Sequence, residues 1–187
     1  MRPRLARVRA VLCLAVFVSA ATADTPPDAL PLSAYPRERI AVETRSSFRR
    51  QLFEAWRADT PATREQGLMY VPDAAMRPDQ AMIFVYEQPQ RVLMWMKNTL
   101  LPLDMLFVDR RGCIVTIKER AVPRSLATID SREPVTLVVE LKGGTVASHG
   151  IGVGDRVLRL DAGGPVAAGA CRQASTATPR FSTNGIS

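Results

Sequence analysis

Histidine occurs once in this 187-residue chain, at His149. That scarcity removes a histidine-rich zinc centre, which would have no ligands. A Ser/His/Asp or Cys/His nucleophilic arrangement would depend on this residue alone. His149 ends a short helix-like stretch from Thr145 that Gly150 closes. There a histidine sits favourably against the helix dipole, which accounts for it without catalysis. The chain also lacks a phosphate-binding loop. Gly150, Gly152 and Gly154 alternate before Asp155, a spacing that matches neither the dinucleotide fingerprint nor a P-loop, and no lysine follows. These glycines read as a turn into a last strand. No apolar run reaches the roughly 20 residues that a permanent membrane span needs, since Ala10 to Ala20 supplies about half of that.

That short run belongs to a secretory signal. Arg2, Arg4, Arg7 and Arg9 precede it, and Ala21-Thr22-Ala23 follows it with small residues where a signal peptidase reads. The pattern predicts a signal peptide over residues 1–23, cleavage before Asp24, and a periplasmic or secreted product. Cleavage removes four arginines and no acid, leaving 21 basic against 18 acidic residues in 164, a net charge of +3. The remaining charges of both signs are interleaved and form no basic stripe, so nucleic acid is not a favoured partner.

Of the three cysteines, Cys13 lies in the signal, which leaves Cys113 and Cys171. An oxidising compartment can close such a pair. Cys113 falls in a strand-like run and Cys171 in a weakly patterned tail, however, so the sequence leaves open whether they come within bonding range.

Four prolines between Asp24 and Pro36 mark residues 24–39 as an extended linker. A segment rich in Gly, Ala, Ser and Thr makes residues 162–187 a flexible tail. One globular domain is predicted over residues 40–161, a size that suits a single core. Strand-like runs occupy Arg50 to Ala58, Ala81 to Tyr86, Arg91 to Met96, Asp104 to Val108, Cys113 to Lys118, Val135 to Leu141 and Arg156 to Leu160. Thr60-Pro61 supplies an N-cap and a proline at the first helical position for a short helix towards Met69. Asp109-Arg110-Arg111-Gly112 suits a hairpin turn. The fold class that follows is mainly β (α+β), a compact barrel-like or sandwich-like domain of short strands with one or two short helices.

The most informative stretch is Trp95-Met96-Lys97-Asn98-Thr99, where a polar wedge interrupts an apolar run. Asp104 follows Pro102, and Glu140 stands in an otherwise apolar strand. A charge in a buried strand must be paired or must face a solvated cavity, and Lys97 with Asp104 or Glu140 would meet that need. The same residues suit the polar floor of a pocket walled by Trp95. Candidate ligand-binding residues are therefore Trp95, Met96, Lys97, Asn98, Thr99, Asp104 and Glu140. No cofactor or metal is implied. One alternative makes Asp104 and Glu140 the carboxylate pair of a hydrolase acting on a cell-envelope substrate, provided they face one cleft. A second uses Met94 and Met96, which alternation places on one face, to hold Cu(I). Against it, methionine is an ordinary filler of cores.

The series Thr63-Arg64-Glu65-Gln66-Gly67-Leu68-Met69, Met82-Ile83-Phe84, Trp95 to Thr99, Pro102-Leu103-Asp104, Phe107, Glu140-Leu141, Gly144 and Gly154-Asp155 resembles the uncharacterised family numbered 192 among the domains of unknown function. The resemblance covers roughly Arg50 to Leu160. It departs at Ala81, where the family has glycine, and at Met94, where it has an aromatic residue. It implies a small, mostly β, barrel-like domain, frequently exported in bacteria, with no established activity. The leading functional reading is a noncatalytic exported domain that binds a small polar ligand or a cell-envelope protein.

Overall fold

The computed structural model describes residues 29–162 together with Pro26 and Cys171. The signal and most of the predicted tail lie outside the described residues. Nine strands are present among them: β1 (Arg37–Thr44), β2 (Arg49–Ala58), β3 (Gln80–Gln90), β4 (Leu93–Met94), β5 (Leu103–Val108), β6 (Ile114–Ala121), β7 (Ile129–Asp130), β8 (Val135–Lys142) and β9 (Arg156–Arg159). Two short helices, α1 (Pro61–Gln66) and α2 (Thr145–His149), complete the set. The fold is the mainly β class that the strand-like runs predict.

Seven strands form one sheet in the order β6-β5-β8-β3-β2-β1-β9, and β4 pairs with β7 in a separate ribbon. Every contact in the large sheet is antiparallel except β2 with β3, which α1 connects. The sheet curls into a half-barrel. Its two edges meet at one end, where Cys113 bridges Arg156 and the Ile114 N–H donates to the Asp155 carbonyl at 2.9 Å. The Cys113–Cys171 disulfide stands at this seam, with Cα atoms 5.5 Å apart, within the range a bridge requires. The sequence leaves that pairing open because 57 intervening residues carry no local signal of it. Here the curl supplies the proximity.

Local chemistry explains the elements. Thr60 accepts from the Thr63 N–H while Thr63 returns a bond to the Thr60 N–H, so the start of α1 is capped reciprocally with Pro61 behind it. Gly112, at φ 80, closes the turn into β6. A Cβ there would stand 2.6 Å from the Val157 carbonyl across the seam.

Alternation divides the sheet's apolar residues between two faces. Ile40, Phe53, Ile83, Leu106, Ile114, Val139 and Val157, one from each strand of the large sheet, form one cluster, with Val146 and Ile151 packed on it. Trp56, Met82, Phe84, Met105 and Phe107 form the other, covered by Tyr35, Leu68, Met76, Val92, Met96 and Leu101 from the connections. Several boundaries differ from the sequence reading: β3 runs on to Gln90, β6 runs on to Ala121, and β7 lies in no expected run. β1 begins at Arg37, inside the predicted linker, and Tyr35 before it is buried. Arg37, Glu38 and Arg39 are consecutive charged residues that pair with β2 before the β9 ladder begins at Ile40, and so charged a stretch reads locally like linker. The run Arg91 to Met96 contributes only the two residues of β4, because the chain turns at Met96.

Candidate functional site

The wedge that interrupts the apolar run is a tight turn. The Thr99 N–H donates to the Met96 carbonyl at 3.0 Å, and Asn98 takes φ 55, a left-handed conformation that asparagine tolerates better than most residues. Two neighbouring segments clamp it. On one side the Tyr70 N–H donates to the Asn98 carbonyl at 2.9 Å, and Asn98 Nδ2 donates to the Tyr70 hydroxyl at 2.7 Å. On the other, the Met96 N–H donates to the Ser125 carbonyl and the Arg124 N–H to the Thr99 carbonyl, each at 3.0 Å. Thr99 is buried, and its hydroxyl stays local, donating to the Lys97 carbonyl at 3.4 Å.

Along Leu93 to Lys97 the side chains part. Met94 and Met96 turn inward and pack in the core cluster of Met82 and Phe107, so these thioethers fill core space. Leu93 and Trp95 turn outward, and Trp95 keeps 45% of its surface exposed. Lys97 lays its ammonium 5.1 Å from the centre of the Trp95 ring, a cation–π arrangement. Val122 and Leu126, on the adjoining segment that β4–β7 pairing and the turn hold in place, are also exposed. The result is an apolar platform of Leu93, Trp95, Val122 and Leu126 with a cation at its edge.

Lys97 therefore pairs with neither carboxylate, contrary to the sequence reading. Asp104 is fully buried and serves the main chain. Its Oδ1 accepts from the Arg120 N–H at 2.8 Å, and its Oδ2 accepts from the Gly144 and Val146 N–H groups at 2.9 and 2.8 Å. It thereby ties the left-handed Arg120, at φ 44, to the start of α2. Asp104 opposes Leu141 whereas Glu140 opposes Met105. Successive residues of a strand point to opposite faces, so the two carboxyl groups lie on opposite sides of the sheet. They do not share the cleft that the hydrolase alternative requires.

Glu140 is 4% exposed and stands between Met82 and Met105 in register. Its Oε2 has no hydrogen-bond partner among the described residues. Burial pushes its carboxyl up to about 8, since desolvation penalises the charged form. Two tyrosines feel it. The Tyr35 hydroxyl is raised by burial first and by Glu140 second, but donates to the Gly67 carbonyl at 3.2 Å. Burial also raises Tyr86, opposed by Arg64, whose guanidinium lies 5.2 Å from the ring centre. At neutral pH this arrangement holds a protonated carboxylic acid inside an apolar layer.

Two clefts of the described surface bear on these residues. The larger, about 1070 Å³, lies beside the seam between residues 43–50 and 150–156. Two of its arginines are engaged there, Arg50 by Glu43 and Arg45 by the Cys171 carbonyl. The smaller, about 400 Å³, lies between β6 and residues 122–132, with Met96 among its lining residues. His149 lines neither, and its ring stands edge-on to Phe53 at 6.3 Å. The sequence reading missed Tyr70, Tyr35 and Tyr86, which neighbour the candidates only in space. It also missed the exposed Leu93, Val122 and Leu126, whose exposure no local pattern announces.

Solved structures are similar to this chain. A proposed transcription regulator from Sinorhizobium meliloti is 49% identical, with a TM-score of 0.64, over 67% of this chain and 95% of that one. A protein of unknown function from Novosphingobium aromaticivorans is 30% identical at the same TM-score of 0.64, over 74% of this chain and 96% of that one. Among curated proteins, none matches the chain. The model of the family DUF192, described as an uncharacterized ACR, matches residues 41–158. That span holds the clamped turn, Asp104 and Glu140, and the chain belongs to the DUF192 family.

Proposed function

We propose that this protein is a noncatalytic, exported binding domain whose site is the face built by residues 93–99 and 122–132. The observation that carries the reading is the half-exposed Trp95 under the Lys97 ammonium, on a turn clamped from both sides. A rigid amphipathic ring loses little conformational entropy on binding, and aromatic anchors dominate recognition surfaces. The turn spends its own polar groups on holding itself in place, which leaves Trp95 and Lys97 for a ligand. That ligand is a small polar molecule or a segment of a cell-envelope protein. Export is supported by the charge and apolar pattern of residues 1–23. The Cys113–Cys171 disulfide supports maturation in an oxidising compartment.

Trp95 and Trp56 are the only tryptophans, and Trp56 is buried. A fluorescence screen against cell-envelope sugars and peptides is therefore expected to return ligands that shift emission in the wild type and not in Trp95→Phe. Weakened binding in Lys97→Ala is the companion expectation. Ligands whose binding neither substitution changes would refute the platform. Recovery of the protein from the periplasm or medium, with an N-terminus at Asp24 by mass, tests export; a cytoplasmic chain that keeps residues 1–23 would refute it.

A further inference from the structure

The smaller cleft adds a ligand class to this face, and the inference rests on the binding reading above. Its lining includes Met96, Val122 and Ile129 on the apolar side, with Lys118 and Arg132 as cations. The Thr116 hydroxyl donates to the Ser131 carbonyl at 2.8 Å, and the fully buried Ser131 is itself held, its hydroxyl accepting from the Val92 N–H and donating to the Glu133 carbonyl. These bonds fix Thr116, which lines the recess, to the segment that carries Arg132.

Its charges are unequal. Asp130, the acid of the lining, is already taken by Arg91, which donates from Nε at 2.9 Å and from a terminal nitrogen, and by the Arg132 N–H at 2.8 Å. The Arg91 pairing holds that carboxyl down to about 2. It is ionised, and its ion pair is with Arg91, which is not a lining residue. Lys118 and Arg132 make no side-chain hydrogen bond or ion pair among the described residues, and Arg132 adds only its field to Asp130. An apolar recess with two cations that lack partners calls for an apolar body bearing one anionic head.

We propose that this recess binds a small amphipathic carboxylate, its apolar body against Met96, Val122 and Ile129 and its carboxylate on Lys118 and Arg132. About 400 Å³ accommodates a short acyl chain or one aliphatic side chain with a terminal carboxylate. Two sources share that chemistry, a free fatty acid and the C-terminus of a peptide.

Isothermal titration of the full, disulfide-bonded chain with octanoate and with N-acetyl-Ala-Leu, each beside its amide, tests the proposal. At least one carboxylate is expected to bind, and its amide about tenfold more weakly, as the loss of a charge-assisted contact implies. Binding of octanoate alone assigns a fatty acid, of the peptide alone a chain terminus, and of both the shared chemistry. Lys118→Ala with Arg132→Ala is expected to lower affinity at least as much, while Lys118→Arg with Arg132→Lys retains it. Both pairs of substitutions are on exposed side chains and leave the fold in place, as circular dichroism will report. Amides that bind as tightly as the acids, no binding by either acid, or affinity indifferent to the alanine pair would overturn the proposal. If the acids fail while Trp95 still reports other ligands, this inference falls and the binding reading stands; if Trp95 is silent as well, both fall.

Discussion

Replacing Glu140 by glutamine probes the least compensated group in the core. Glu140 lies on β8 with 4% exposure and an Oε2 that no described residue answers. Burial raises its carboxyl from 4.5 to about 8. The folded chain then holds the proton more tightly than the unfolded chain does. Stability from this group is fully present below pH 4.5, declines as pH rises, and is lost once pH passes about 8. Each pH unit within that window is worth about 1.4 kcal/mol, so the whole descent is on the order of 5 kcal/mol and about 3 kcal/mol of it falls before pH 7. Against a total stability of roughly 5–15 kcal/mol this is a large effect. Glutamine has nearly the same shape and does not ionise. Glu140→Gln should therefore match or slightly trail the wild type at pH 4, since its amide brings new donors into an apolar layer, and should exceed it by several kcal/mol at pH 9. Urea unfolding followed by circular dichroism across that range gives both curves. Other titrating groups are common to the two proteins and cancel in the difference. Parallel curves for wild type and variant would refute the reasoning.

Three further outcomes follow from the same geometry. Asp104→Ala strands three main-chain N–H groups, those of Arg120, Gly144 and Val146, and should cost about 3 kcal/mol or more in urea unfolding. A loss under 1 kcal/mol would mean that water replaces the carboxylate. Asn98→Ala loses the bond to Tyr70 and forces alanine to φ 55, so it should cost about 2 kcal/mol, with Asn98→Gly recovering roughly half. Equal losses in the two variants would remove the backbone part of that account. Cys171→Ser opens a cross-link spanning 58 residues and should lower stability by about 4 kcal/mol on the loop-entropy account; non-reducing mass spectrometry of the wild type checks the bridge itself.

Much of the fold was legible because its signals are local. The runs at Asp104 to Val108 and Val135 to Leu141 match β5 and β8 to within a residue. Thr60-Pro61 starts α1, and Asp109 to Gly112 turns the chain into β6. Short charged strands were not legible in the same way. β7 is two residues long, and β1 interleaves charge with apolar side chains; only their neighbours make them strands. Asn98 offered the one local clue at the site, an asparagine in a polar break, which suits a left-handed turn. Its partner Tyr70 stands 28 residues away and carries no such clue.

The sequence by itself determined the strand periodicity, the capped helix, the hairpin turn and the family motif, because each depends on residues within a few positions of one another. It also identified Asp104 and Glu140 as charges in need of an account. Only the tertiary structure decided what that account is. Register placed Asp104 against three N–H groups and left Glu140 alone on the opposite face. The curl of the sheet brought Cys113 to Cys171, and the crossing of residues 122–132 over Met96 made the recess. Alternation along a strand says which side chains share a face. What stands opposite that face is a property of segments far away in the chain.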